Sequence, residues 1–186
     1  MRRGRVYYAK LLKGRSTFVA PRLVPHFNAL FGLPRKQEKE RLSKDALAIL
    51  KVLRKEWEMA TKDLRDESSV KERAPFNKAM DELQRAMKVI PSEVLYEPTF
   101  TYIWSLSEGR FAKELAMKVK REVAINEIAR AYLSACGQTE RGELARATGL
   151  SRVEAGKANH QLVKEGFAER LEVGVYRLSS VTHRSS

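Results

Sequence analysis

A single cysteine, Cys136, occurs in 186 residues. One thiol excludes an internal disulfide and fits a reducing compartment. The only histidines, His26, His160 and His183, stand at no metal-ligand spacing with that cysteine, so no zinc or other metal site is expected. No apolar run approaches the roughly 20 residues of a membrane span. The basic opening MRRGRVYYAKLL lacks the apolar stretch and small-residue cleavage site of a signal peptide. No Gly-rich phosphate loop precedes a Lys and a Ser or Thr. No Ser, His and acid share a local setting that marks a triad. These absences point to a protein of the cytoplasm, with no cofactor and no membrane partner. Cys136, beside the sequence ACGQ at a helix end, reads as a half-buried structural thiol.

Acidic residues are also scarce. Asp and Glu number 23 against 36 Lys and Arg, which leaves a formal net charge of +13 and a pI near 10.0. Such a balance calls for a polyanionic partner, and double-stranded DNA is the commonest, which would place the protein with the nucleoid. The excess is uneven. Residues 1–41 carry 11 bases and 2 acids, residues 42–119 carry 14 and 13, and residues 120–186 carry 11 and 8. A basic arm over residues 1–41, with Arg2, Arg3 and Arg5 at its tip, suits phosphate tracking or minor-groove entry.

The order of elements follows from periodicity. Residues 6–12 and 16–19 alternate like two short strands around a Lys13-Gly14 turn. Pro21 is placed to open a helix carrying Leu23, Phe27 and Leu30 and stopping at Gly32. The polar run LPRKQEKERLS then reads as a linker.

Beyond it the same unit recurs. In the first copy Ser43 caps a helix with Leu47, Leu50 and Leu53 on one face and Ile49 and Trp57 alongside. A short helix over Thr61–Glu67 surrounds Leu64. A third helix is expected to open on a capping box of Ser69 and Glu72 and to carry Phe76, Met80, Leu83 and Met87. Val89-Ile90, a turn at Pro91-Ser92, and the aromatic strand TFTYIWSL close the copy.

In the second copy Ile125, Ile128 and Tyr132 line the first helix. Thr139 is expected to cap the next, centred on Leu144. Gly149 makes the corner, and Ser151 with Glu154 opens the third helix. Gly166 stops it, and FAERLEVGVYRLS supplies two strands around Gly174. A joining helix with Phe111, Leu115 and Val119 buried links the copies.

The expectation is a mainly α protein with small β wings, a tandem winged helix-turn-helix. Its parts are the arm 1–41, a first winged-helix domain 42–107, a connecting helix 108–120, a second winged-helix domain 121–180 and a tail 181–186.

A helix-turn-helix reads DNA with the outer face of its second helix. Taking Val153, Leu162 and Val163 as inward leaves Arg152, Lys157, Asn159, His160, Gln161 and Lys164 facing out. Arg can read guanine, Asn and Gln adenine, while Lys157 and Lys164 suit phosphate. Arg170 and Arg177 flank the wing turn. Any one of these fits the wet face of an ordinary helix; the set is what suggests a duplex. On the first copy Lys71, Arg73 and Lys78 are weaker candidates among acids. Its aromatic hairpin, with Tyr102 and Trp104, reads as core or as a surface for the arm or a partner, and a homodimer is open. A protein-interaction module is the rival outside DNA binding.

The stretches VYYAKLLKGRSTFVAPRLVPHFNALFG, FNKAMDELQRAMKVIP and TFTYIWSL resemble a winged-helix family related to bacterial and archaeal alkylpurine and interstrand-crosslink DNA glycosylases. The likeness implies tandem winged helices and a DNA-associated role, as a transcriptional regulator, another DNA-associated factor or a repair glycosylase. Catalytic members carry a Q-x-Q or Q-x-D element. Gln37, Gln84, Gln138 and Gln161 stand in KQEKE, LQRA, GQTE and HQLV, so the resemblance assigns no catalytic residue. Family members also tend to be longer, and this chain begins where their amino-terminal module would end.

Overall fold

The computed structural model describes residues 6–12 and 14–179. It divides into two compact units, Met1–Lys118 and Val119–Ser186. Arg2, Arg3, Arg5 and the tail 181–186 lie outside the described residues.

The first unit opens with strands β1 (Tyr7–Leu12) and β2 (Arg15–Val19), paired antiparallel, then helix α1 (Val24–Phe31). Tyr7, Ala9 and Leu11 alternate into the interior, so β1 packs against later elements of this unit. Burial pushes the Tyr7 phenol well above its ordinary range, even with Ser107 Oγ 3.1 Å from its hydroxyl. The expected linker is instead a packed turn and short helix α2 (Glu38–Arg41). Glu38 is buried and takes Arg54 Nη2 at 2.8 Å and Lys88 Nζ at 2.6 Å. Burial alone would raise its carboxyl, but the two cations bring it below the usual range.

Next come α3 (Lys44–Glu56), β3 (Glu58–Ala60), α4 (Thr61–Glu67), α5 (Arg73–Arg85), β4 (Val89–Leu95) and β5 (Thr101–Leu106). Ser43 caps α3 by accepting from the Ala46 amide. Ile49, Leu50, Leu53, Leu64, Phe76, Leu83 and Val89 form the core. Pro91 and Ser92 are not a turn. Strand β4 runs through them on a bulge, where Pro91 needs no ladder donor. Ser69 does not cap α5 either, because its φ of 61° turns it left-handed; Glu72 occupies the N-cap position. Trp57 is 57% exposed rather than packed beside Ile49.

The expected joining helix is broken into α6 (Ser107–Arg110) and α7 (Ala112–Ala116), followed by non-helical residues 117–120. Phe111 is buried between the two short helices in sequence, Leu115 and Val119 only partly.

The second unit comprises α8 (Arg121–Cys136), β6 (Gln138–Thr139), α9 (Glu143–Thr148), α10 (Arg152–Lys164), β7 (Ala168–Glu172) and β8 (Val175–Leu178). Thr139 does not cap α9; it is buried in β6, and Gly142 holds the N-cap position. Cys136 is exposed, not half-buried. Residues 44–106 of the first unit and 121–178 of the second share one element order, and their three-stranded sheets share one strand order, β3-β5-β4 and β6-β8-β7.

The match extends to backbone strain. Trp57, Ser69 and Met87 adopt positive φ (66°, 61° and 56°), which L-residues resist. At corresponding places the second unit has Gly137, Gly149 and Gly166, at 74°, 75° and 71°. Both third helices end alike: the amides of Met87 and Lys88 donate to Gln84 and Leu83 carbonyls, and those of Gly166 and Phe167 to Val163 and Leu162. The glycines adopt these angles at no Cβ cost. We therefore expect Ser69→Gly to stabilise the first unit by about 1 kcal/mol and Gly149→Ser to destabilise the second by about as much. Urea unfolding followed by tryptophan fluorescence reads the first variant, since Trp57 and Trp104 both lie in that unit; amide exchange reads the second.

Candidate nucleic-acid interface

The second unit is built to hold α10 in one rotational phase. Ala155, Ala158 and Leu162 turn inward, and the two alanines let α10 lie close to α8, whose Ile125, Ile128, Ala129 and Leu133 are buried. Leu144 and Leu150 complete the core around the Gly149 corner.

The start of α10 is fixed by a capping box. The Ser151 hydroxyl accepts from the Glu154 amide at 3.2 Å, and Glu154 Oε2 takes the Ser151 amide at 3.0 Å and hydroxyl at 2.8 Å. Arg121 of α8 donates to the other oxygen, Oε1, at 2.8 and 3.1 Å. The Ser151 hydroxyl, then Arg121, holds the Glu154 carboxyl down to about 2.

With that phase, Arg152, Val153, Lys157, His160 and Lys164 are exposed. Val153, expected inward, is 67% exposed, because Ala155 rather than Val153 falls on the buried stripe. Asn159 is corrected the other way. It is 7% exposed and its Oδ1 has no partner among the described residues, so it does not share the outer face. Gln161 is half-buried and donates to Glu165 at 2.8 Å. His160 Nε2 lies 3.4 Å from the Tyr176 hydroxyl, with the rings edge-to-face. In the hairpin, Arg170 Nε donates to the Glu172 carbonyl at 3.3 Å, and Arg177 pairs with Glu169 at 3.3 Å. Arg152, Lys157 and Lys164 have no acidic partner among the described residues. They are the cations left to a ligand on this face.

In the first unit Lys71, Arg73 and Lys78 are exposed. The Lys71 carbonyl accepts from Arg65. Arg73 borders a cleft of about 430 Å³ with Tyr8, Phe76, Phe100, Tyr102 and Trp104. Phe100, Tyr102 and Trp104 belong to a row of rings that begins at Tyr96, with successive centroids 5.9, 5.2 and 5.3 Å apart. Trp104 is buried and its indole donates to Thr61 Oγ1 at 3.0 Å, the core role expected of it. Among the described residues no three His, Cys, Asp or Glu side chains gather as metal ligands, and no helix is long and apolar enough to cross a membrane.

A second cleft of about 430 Å³ lies in the second unit, between residues 140–142, α10 and the hairpin turn. Arg141, Arg152, Gly156, Asn159, Gly174 and Tyr176 border it. Sequence reasoning passed over Arg141 and Gly156. The available signal was the glycine inside a helix, four residues after Arg152 and three before Asn159.

The class the fold defines is a mainly α chain with small antiparallel sheets, and it is shared with a solved structure, Streptomyces sahachiroi DNA glycosylase AlkZ. The TM-score is 0.62 at 13% identity, over 96% of this chain and 54% of that one, so this chain spans about half the length of the structure it matches. The family described as AlkZ related matches residues 1–149, and the chain belongs to it. The matched region takes in the first unit and the second through α9. No curated protein matches the chain.

A pH response follows from the cap. The folded Glu154 value lies below its ordinary 4.5, so its stabilisation is complete above about 4.5 and fades as pH falls toward 2. Protection of the α10 amides against exchange, corrected for the intrinsic rate at each pH, should fall over that window in the wild type. Glu154→Gln should abolish that part of the response, and Ser151→Ala should cost about 1 kcal/mol at neutral pH.

Proposed function

We propose that this chain is a DNA-binding member of the AlkZ-related family, in which each unit is a winged helix and the second engages duplex DNA through the outer face of α10. The observation that carries this is that Arg152, Lys157 and Lys164 are all exposed on α10, without acidic partners among the described residues, in a chain of net charge +13. Lys157 and Lys164 suit phosphates. Arg152, the first residue of α10, suits a guanine edge, and exposed Val153 beside it offers an apolar contact to a thymine methyl. Arg170 and Arg177, tied to hairpin groups, contribute less than their charge suggests. The candidate cations of the first unit, Lys71, Arg73 and Lys78, are assigned a lesser, phosphate-only role, and Arg2, Arg3 and Arg5 a tracking role. A nucleoid location follows from this reading.

Two finer roles compete. One is a regulator or other factor that binds DNA without altering it. The other is base excision, favoured by the family and by the name of the solved neighbour as a DNA glycosylase. Incubation with alkylated duplex separates them: released base and abasic sites mean an enzyme, and intact DNA retained by the protein means a binder.

Binding itself is tested by fluorescence anisotropy. With about six phosphate contacts, affinity for a duplex should fall about a thousandfold between 50 and 200 mM salt. The double variant Arg152→Ala/Lys157→Ala should bind at least tenfold more weakly while its thermal unfolding stays within about 0.5 kcal/mol of wild type. Unchanged affinity would remove α10 from the interface, and salt-independent binding would favour a protein partner.

A further inference from the structure

We propose that the cleft of the second unit is a seat for one adenine nucleotide outside a base-paired stack, its phosphate at Arg141 and Arg152 and its base edge on the Asn159 carboxamide. The proposal deepens the duplex reading and rests on it for the strand that would deliver the nucleotide.

Three features of the cleft point to such a ligand. Asn159 is more than nine-tenths buried, lines the cleft, and has an amide oxygen without a partner among the described residues. An unpaired buried amide group destabilises the fold, so its retention calls for a donor that arrives from outside. Gly156 lies on the same stripe of α10, with Arg152 four residues before it and Asn159 three after. Nothing stands within 4 Å of where its Cβ would be, so alanine would fit there. Alanine would also favour the helix. Glycine instead leaves bare backbone facing the cleft, which suits a ligand that approaches closely. Lastly, the opposite wall is held by another glycine. Gly174, at φ 88°, lets the hairpin turn close on Arg141, whose Cβ lies only 3.0 Å from where a side chain at 174 would start.

The chemistry is graded from rim to floor. Arg141 and Arg152 are exposed and cationic, Tyr176 and Leu144 supply apolar wall, and Asn159 is the buried polar member of the lining. A free anion would satisfy the rim and leave the floor unpaired. An adenine meets the amide at both ends, donating from its exocyclic amine and accepting at a ring nitrogen. The cleft's volume of about 430 Å³ is in the range of small-ligand sites. The nucleotide can come from an extrahelical position in DNA or from a free mononucleotide, and the two sources share this chemistry.

The test is anisotropy with three labelled duplexes: fully paired, with one extrahelical adenine, and with one extrahelical abasic residue. Adenosine 5′-monophosphate serves as competitor and, separately, as a calorimetric ligand. The extrahelical adenine should bind about tenfold tighter than either control, the return of one bidentate base contact. Asn159→Leu and Gly156→Leu should erase that preference. Neither substitution removes a satisfied partner, and unfolding of both variants is measured alongside; Gly156→Ala, which fills least and favours the helix, should weaken the preference while raising stability. Displacement by the mononucleotide identifies the free source, and a preference that resists it identifies the strand.

Equal binding of adenine and abasic duplexes overturns the base contact. A preference that survives in Asn159→Leu overturns the seat. If no duplex binds in a salt-dependent way, the duplex reading fails by itself; the cleft is then judged by calorimetry, where heat lost in Asn159→Leu supports it and no heat in the wild type ends it.

Discussion

One carboxylate sets the phase of the helix on which the functional reading turns. Glu154 holds the Ser151 amide and hydroxyl on one oxygen and Arg121 on the other. The first residue of α10 and its rotation against α8 are thereby fixed together. A helix has no other means of deciding which of its polar residues meets solvent when its buried stripe is made largely of alanine, a side chain too small to lock rotation by shape. Here Ala155 and Ala158 grip weakly, and the ion-paired cap supplies what they lack. Arg152, Lys157 and Lys164 all reach solvent as a consequence.

The two units are one design executed with different economies. Residues 44–106 of the first unit and 121–178 of the second each run through three helices, a short strand after the first and a closing hairpin, with the same strand order. Even the hydroxyl that bonds back to the buried leucine of the second helix recurs, from Ser68 to Leu64 and from Thr148 to Leu144. They differ where the backbone turns left-handed: glycine stands at each such place in the second unit, while tryptophan, serine and methionine stand there in the first. In the first unit β1 also packs against α5 and β4.

Much of this architecture is legible in the residues, and the failures have physical causes. Helix α4 at Thr61–Glu67 and the Ser151 cap were plain because short-range chemistry dictates them: apolar period, hydroxyl, and carboxylate three residues on. The same S-x-x-E spacing at Ser69 misled, because the spacing is necessary for a capping box and the backbone angle is what decides. Pro91 looked like a turn, yet a bulge gives proline a place inside a strand. The linker around Glu38 looked solvated, since its partners Arg54 and Lys88 are distant in sequence and only the fold brings them near. Of the face assigned to DNA, Arg152, Lys157, His160 and Lys164 stand outward, whereas Asn159 and Val153 exchanged sides. Helical period places residues to within about one position in each direction, and Asn159 sits at the margin of the buried stripe. Arg141 belongs to the cleft only through folding of the hairpin turn over it.

The small sheet of the second unit also bears on self-association. A sheet ending in unsatisfied strands invites another chain to add to it, and proteins resist this by shortening, charging or kinking the outer strand. Strand β6 is two residues long, and β7 carries Glu169, Arg170 and Glu172 with a bulge between the last two. Neither border offers a smooth ladder to a newcomer. A second copy would find no easy template for strand addition on this sheet, so its short hairpin can stand out in solvent without becoming a point of aggregation.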